Sequence, residues 1–187
     1  MRARTSGRHG TIATALALAA LLLAPAGVAE LLMSREQALA GAFPEADRVE
    51  KEILYLSREE RRRIRELADA PMDSGLFTVY RGYRDGSLTG YAFIDTRVIR
   101  SKPAAFLVVL EPDGTLRESR ILAWEEPPEY MPPERWLAQF RGRELAPQTR
   151  LGGDIQAMTG ASLTSRSLTD GIRRVLAIRA VKLAGEG

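Results

Sequence analysis

The sequence predicts an α+β fold: one domain with a mainly antiparallel sheet flanked by helices, preceded by a signal peptide or N-terminal anchor helix. Three observations carry this. The chain has 187 residues, 45% of them hydrophobic and 27% charged, which suits one ordinary globular domain and leaves too little chain for two. Between Leu76 and Trp124 the apolar residues alternate or run in short blocks between turn signals, as strands joined by hairpins do. On either side of that region the apolar spacing turns helical.

Residues 1–29 hold Arg2, Arg4 and Arg8 without an acid, and Thr11–Ala24 then runs almost wholly apolar to Pro25. The strongly apolar part, about a dozen residues, has the length of a signal-peptide core and falls short of the roughly 20 residues that span a bilayer. Gly27 and Ala29 supply the small residues of a cleavage site before Glu30, with Ala24 and Ala26 as an alternative pair. Left uncleaved, Thr11–Val28 is an N-terminal anchor. Either way the body is expected outside the cytoplasm, in a bacterium in the periplasm or on the outer face of the inner membrane. A chain without cysteine suits that oxidising space. The three arginines equal the net charge of +3 of the whole chain. The body beyond residue 29 is therefore neutral, and no nucleic-acid partner is expected, because phosphate binding needs a basic surface.

The elements follow in order. Ser34 caps a short helix through Phe43 that Pro44 ends, and Val49–Leu56 reads as a strand. Ser57 with Glu60 forms a capping box opening a helix to Asp69, on which Glu59 and Glu60 are spaced to pair with Arg63. Leu76–Tyr83 and Leu88–Ile94 flank Asp85-Gly86, a hairpin turn signal. Ala104–Leu110 and Leu116–Trp124 flank Pro112-Asp113-Gly114 and form a second hairpin, its first strand central, in a sheet of at least four strands. After the proline-rich Glu125–Pro133 a helix runs from Pro133-Glu134 to Phe140. The last helix starts near Thr164 or Ser165 and continues to Lys182, with Leu168, Ile172, Val175, Leu176 and Val181 on its buried stripe and Arg166, Arg173, Arg174 and Arg179 elsewhere. Residues 30–73 are expected as an N-terminal extension packed on the body, and 74–187 as the domain that carries the site.

Much chemistry is excluded. With no cysteine, and with the single histidine, His9, ahead of the globular part, thiolate metal sites, haem attachment, cysteine nucleophiles and a Ser-His-Asp triad are absent. The informative segment is Gly152–Ser165. Gly160 and Ala161 allow close backbone approach, hydroxyl side chains cluster around them, and a helix N-terminus follows. By its physics alone this is either a generic anion cradle or an ordinary helix cap.

The run Thr159-Gly160-Ala161-Ser162-Leu163-Thr164 resembles the [S/T]-G-A-[T/S]-x-[S/T] signature of the FMN-binding domain family. That family includes the C subunit of sodium-translocating NADH:quinone reductase and the G subunit of Rnf complexes. The resemblance covers Ser74–Leu183 and is strongest at the motif. It implies an extracytoplasmic electron carrier whose FMN is joined by a phosphodiester to Ser162, placed there by a separate flavin transferase that uses FAD. Thr159, Gly160 and Ala161 would form the recognition turn, with Thr164 at the trailing hydroxyl position. A membrane-bound electron-transfer partner is implied, and the chain would be a redox-complex subunit rather than a stand-alone enzyme. Ser162 stands where many members have Thr, and the nucleophilic oxygen is retained. Gln156 stands where members commonly carry Asp, while Asp154 is nearby but out of register. A redox-inactive envelope binding or assembly module reusing the fold is the alternative that Gln156 favours. Trp124, Tyr130 and Trp136 are placed either to stack on a ring or to fill the core, Arg166 to reach a phosphate or face solvent, and Gly171 to permit close packing.

Overall fold

The computed structural model describes residues 30–185; the segment read as signal peptide or anchor, residues 1–29, lies outside the described residues. Among the described residues no helix is long and apolar enough to cross a membrane. The elements are β1 (Glu30–Leu31), α1 (Arg35–Ala42), β2 (Arg48–Tyr55), α2 (Arg58–Ala68), β3 (Leu76–Arg84), β4 (Ser87–Val98), β5 (Pro103–Leu110), β6 (Leu116–Trp124), α3 (Glu134–Leu137) and α4 (Ser162–Lys182), with 3₁₀ turns at Pro128–Tyr130 and Ala138–Phe140. The sheet is antiparallel throughout, in the order β1-β6-β5-β4-β3-β2. The α+β architecture is as expected. Residues 30–73 supply both edge strands, so they share the sheet with the rest of the chain.

Both early helices start where their caps predict. Ser34 with Gln37, and Ser57 with Glu60, exchange reciprocal side-chain-to-backbone bonds. The charge run on α2 pairs differently from the spacing argument. Arg62 rather than Arg63 takes Glu59 and Glu66, and Glu60 reaches Lys182 Nζ at 2.9 Å on α4. The reason is the box itself: it turns the Glu60 side chain back over the helix start, where the end of α4 passes antiparallel to α2.

Alternation along the strands makes two apolar faces. One packs under α2, α4 and α3 through Leu54, Val79, Phe93, Phe106, Val108 and Leu110; the other, through Tyr80, Ala92, Leu107 and Val109, lies under α1. On α4 the stripe Leu168, Ile172, Val175 and Leu176 is buried as predicted, each side chain contributing about 1.5–3 kcal/mol. Arg173 and Arg174 depart from expectation. They are only 6% and 1% exposed, because α4 is enclosed by α2 on one side and the sheet on the other. Backbone carbonyls satisfy Arg173, which donates to Leu67, Ala68, Ala146 and Thr149, while Arg174 donates to the Pro71 carbonyl and to Asp95 Oδ2 at 2.9 Å and keeps its buried Nε without a partner among the described residues.

Gly171 is where α4 meets the sheet. A Cβ there would stand 2.5 Å from Phe106 Cζ and 3.4 Å from Asp95 Oδ2, so the close packing read from the sequence is present. Gly171→Ala is expected to destabilise despite alanine's helix propensity, worth about 1 kcal/mol, because displacing a buried ring costs typically 1–3 kcal/mol. A lowered urea midpoint at unchanged slope is the expected measurement.

Candidate functional site

The informative segment reaches α4 through a chain of fixed backbone contacts. Trp136 Nε1 donates to the Gln156 carbonyl at 2.7 Å, and the Gln156 N–H donates to Gln139 Oε1 at 2.8 Å. Ile155 is fully buried. Gly160 then takes a φ of 78°, left-handed backbone that glycine adopts without strain, and the Ala161 N–H closes the turn on the Met158 carbonyl at 3.2 Å.

The helix begins at Ser162, earlier than the Thr164 or Ser165 expected at its start. The N-cap position is Ala161, which has no side chain able to cap. Ser165, fully buried one turn in, instead accepts the Met158 N–H at 2.9 Å and donates to the Ala161 carbonyl at 3.0 Å. Its hydroxyl therefore staples the turn to the helix from behind. A cap and a staple both need a small hydroxyl residue near a helix start, so the sequence does not separate them. The consequence is chemical. The N–H groups of Ser162, Leu163 and Thr164 precede the first intrahelical acceptor and have no side-chain cap, at the positive end of a helix of 21 residues.

The motif residues are distributed around this end. Ser162 is exposed, and its hydroxyl makes no hydrogen bond among the described residues. Gly160, Ala161, Ser162, Leu163 and Thr164 line a cleft of about 280 Å³ together with Ile99, Arg100, Glu126 and Tyr130. Thr164 is only 2% exposed, and its hydroxyl likewise has no partner among the described residues. Thr159 borders a different cleft, of about 520 Å³, lined with it by Met131, Trp136, Gln139, Gln156, Met158 and Ala161, among others.

Of the aromatic candidates only Tyr130 borders the Ser162 cleft. Trp124 and Trp136 are core residues, 4% and 5% exposed, and Trp136 packs edge-on against Phe140 at 5.5 Å between centroids. Arg166 is exposed on α4. Asp154 pairs with Arg143, so it does not supply the carboxylate that Gln156 lacks.

The sequence reading missed Glu126, Ile99 and Arg100. Glu126 is 4% exposed, and its Oε1 accepts the successive N–H groups of Arg100, Ser101 and Lys102 at 2.9, 2.6 and 2.8 Å. The Ser101 bond and its two neighbours hold the carboxyl below its ordinary value. No local signal marks it, since its partners lie some two dozen residues upstream. A depressed carboxyl pKa adds stability that is present above the unfolded value and lost as pH falls through the folded one. Glu126→Gln is therefore expected to be less stable than the parent at neutral pH, with the gap in urea midpoints narrowing below about pH 4.5.

No protein-family model matches the chain. Curated relatives do: the G subunit of the ion-translocating oxidoreductase complex of Stutzerimonas stutzeri is 30% identical over 131 residues, 61% of this chain and 57% of that protein. The protein of the same name from Cereibacter sphaeroides is 30% identical over 127 residues, 62% of this chain and 57% of that protein. The chain spans less than two thirds of the length of these relatives. Among solved structures, Shewanella oneidensis NqrC overlays with a TM-score of 0.45 at 15% identity, covering 78% of this chain and 83% of that one. These relatives support the resemblance read from Thr159–Thr164, with matches that cover 61% and 62% of this chain.

Proposed function

We propose that this chain is an extracytoplasmic flavoprotein, similar to the G subunit of ion-translocating oxidoreductase complexes, that relays electrons between a membrane redox module and an acceptor, with FMN joined through a phosphodiester to Ser162. The observation that carries this reading is the uncapped start of α4. Three N–H groups, a helix dipole and two unpartnered hydroxyls, Ser162 and Thr164, converge beside a cleft. A phosphate supplies the capping oxygens that Ala161 lacks.

Bound there, FMN supplies reversible electron uptake and release, which no side chain of this protein offers. The chain's own work is retention and placement. Ser162 Oγ would give up its proton and become the ester oxygen on transfer of the FMN half of FAD, with AMP as the leaving group. The N–H groups of residues 162–164 would meet the remaining phosphate charge. Gly160 and Ala161 keep side chains out of the approach to the turn, and Ile99, Leu163 and Tyr130 offer an apolar wall. A phosphodiester prevents loss of the cofactor where no cytoplasmic pool replaces it, which accords with an exported body whether residues 1–29 are cleaved or kept as an anchor.

Gln156 favours one other reading, a redox-inactive envelope module that has kept the fold without the flavin. Intact mass of the full chain produced together with a flavin transferase separates the two. The expected result is a yellow protein heavier by FMN less one water, with a reversible flavin spectrum. Colourless protein of unmodified mass would overturn the covalent assignment.

A further inference from the structure

We propose that Arg100 is the cation that meets the nucleotide phosphate at the start of α4, and that Glu126 is the positioning residue that holds it there. The inference rests on the flavin reading above and adds to the site two residues outside the Thr159–Thr164 motif.

The β4–β5 connection is pinned by one side chain. A single buried oxygen, Glu126 Oε1, takes three successive N–H groups from Arg100, Ser101 and Lys102, and the Ile99 N–H closes the same turn on the Lys102 carbonyl at 3.1 Å. Three bonds to one atom tie that backbone to the Glu126 carboxylate. From that turn the Arg100 guanidinium stands over the Tyr130 ring, 5.7 Å from the centroid, with Nη1 3.4 Å from Tyr130 Oη. Arg100, Glu126 and Tyr130 border the same cleft as Ser162 and Thr164.

Charge is arranged to suit an anion. The negative charge of Glu126 is met chiefly by amide dipoles, as in a backbone nest, with a smaller contribution from the Arg100 charge nearby. Arg100 is exposed and forms no ion pair among the described residues, so its charge is available to the cleft. Thr164, 2% exposed as a residue, brings to the same cleft a second polar group, a hydroxyl that makes no hydrogen bond among the described residues. An arginine suits a phosphate better than a lysine does, since its planar fork presents paired donors.

The test is ³¹P NMR of the full chain matured with a flavin transferase, comparing the parent with Arg100→Ala, Arg100→Lys, Glu126→Gln and Arg166→Ala. The expected result is a phosphodiester resonance that shifts in Arg100→Ala, shifts in the same direction in Glu126→Gln, and returns toward the parent position in Arg100→Lys. Arg166→Ala should match the parent, and Arg100→Ala combined with Glu126→Gln should shift no further than Arg100→Ala alone, because Glu126 acts through Arg100. An unmoved resonance in Arg100→Ala overturns the role of Arg100. A Glu126→Gln protein that is less stable but keeps the parent resonance overturns the positioning role, leaving Glu126 a loop staple. Absence of any phosphodiester signal from the parent overturns the flavin reading itself, and this inference with it.

Discussion

Ser162→Ala protein, matured alongside the flavin transferase, is expected to emerge colourless and at its unmodified mass, with complete loss of the FMN adduct. The loss is total because the substitution removes the only atom of that side chain able to form the ester. It should leave the fold untouched: Ser162 is exposed and its hydroxyl has no partner among the described residues, and such surface changes usually stay within about 0.5 kcal/mol. Alanine at the first helical position also suits the helix. Thermal unfolding of the unmodified parent and variant should therefore coincide, while intact mass separates the matured proteins. Ser162→Thr keeps the oxygen and should retain the adduct. An Ala variant that still gains FMN less one water would place the attachment on another hydroxyl, with Thr159 and Thr164 the neighbours to examine.

Arg173→Met is expected to be the most destabilising single change, although the position is remote from Ser162. The guanidinium donates to four carbonyls: Leu67 and Ala68 at the end of α2, and Ala146 and Thr149 in the segment that leads toward the site, at 2.6–3.1 Å. Methionine fills similar space and removes every donor. The net loss should be about 3 kcal/mol or more, since hydrogen bonds to charged groups are worth roughly 1.5–3 kcal/mol each but do not add fully. Urea denaturation gives the magnitude, and hydrogen exchange gives the location: amides of residues 144–155 should lose protection before those of the sheet. Arg173→Lys should recover only part, because one ammonium cannot span four acceptors on two segments. A variant with parental stability would show that these carbonyls are equally well served by water.

The strands, the hairpin turns and the caps at Ser34 and Ser57 were legible in the sequence because each depends on residues adjacent in the chain: alternation, Asp85-Gly86 with φ values of 50° and 78°, a hydroxyl followed at the third place by Glu or Gln. The six-residue motif at Thr159–Thr164 was legible for the same reason. Where local rules competed, they failed. The Ser165 hydroxyl was equally consistent with a cap and with a staple, and Arg62 and Arg63 with the pairing of Glu59. Packing decided for the buried Ser165, whereas the Arg62 pairs lie on the exposed face of α2. The burial of Arg173 and Arg174 came from the enclosure of α4 between α2 and the sheet, a fact about neighbours distant in sequence. Glu126 shows the limit most clearly. Its partners are backbone amides, identical in every residue type except proline, so no side-chain pattern could announce them until the fold brought the β4–β5 turn to its carboxylate.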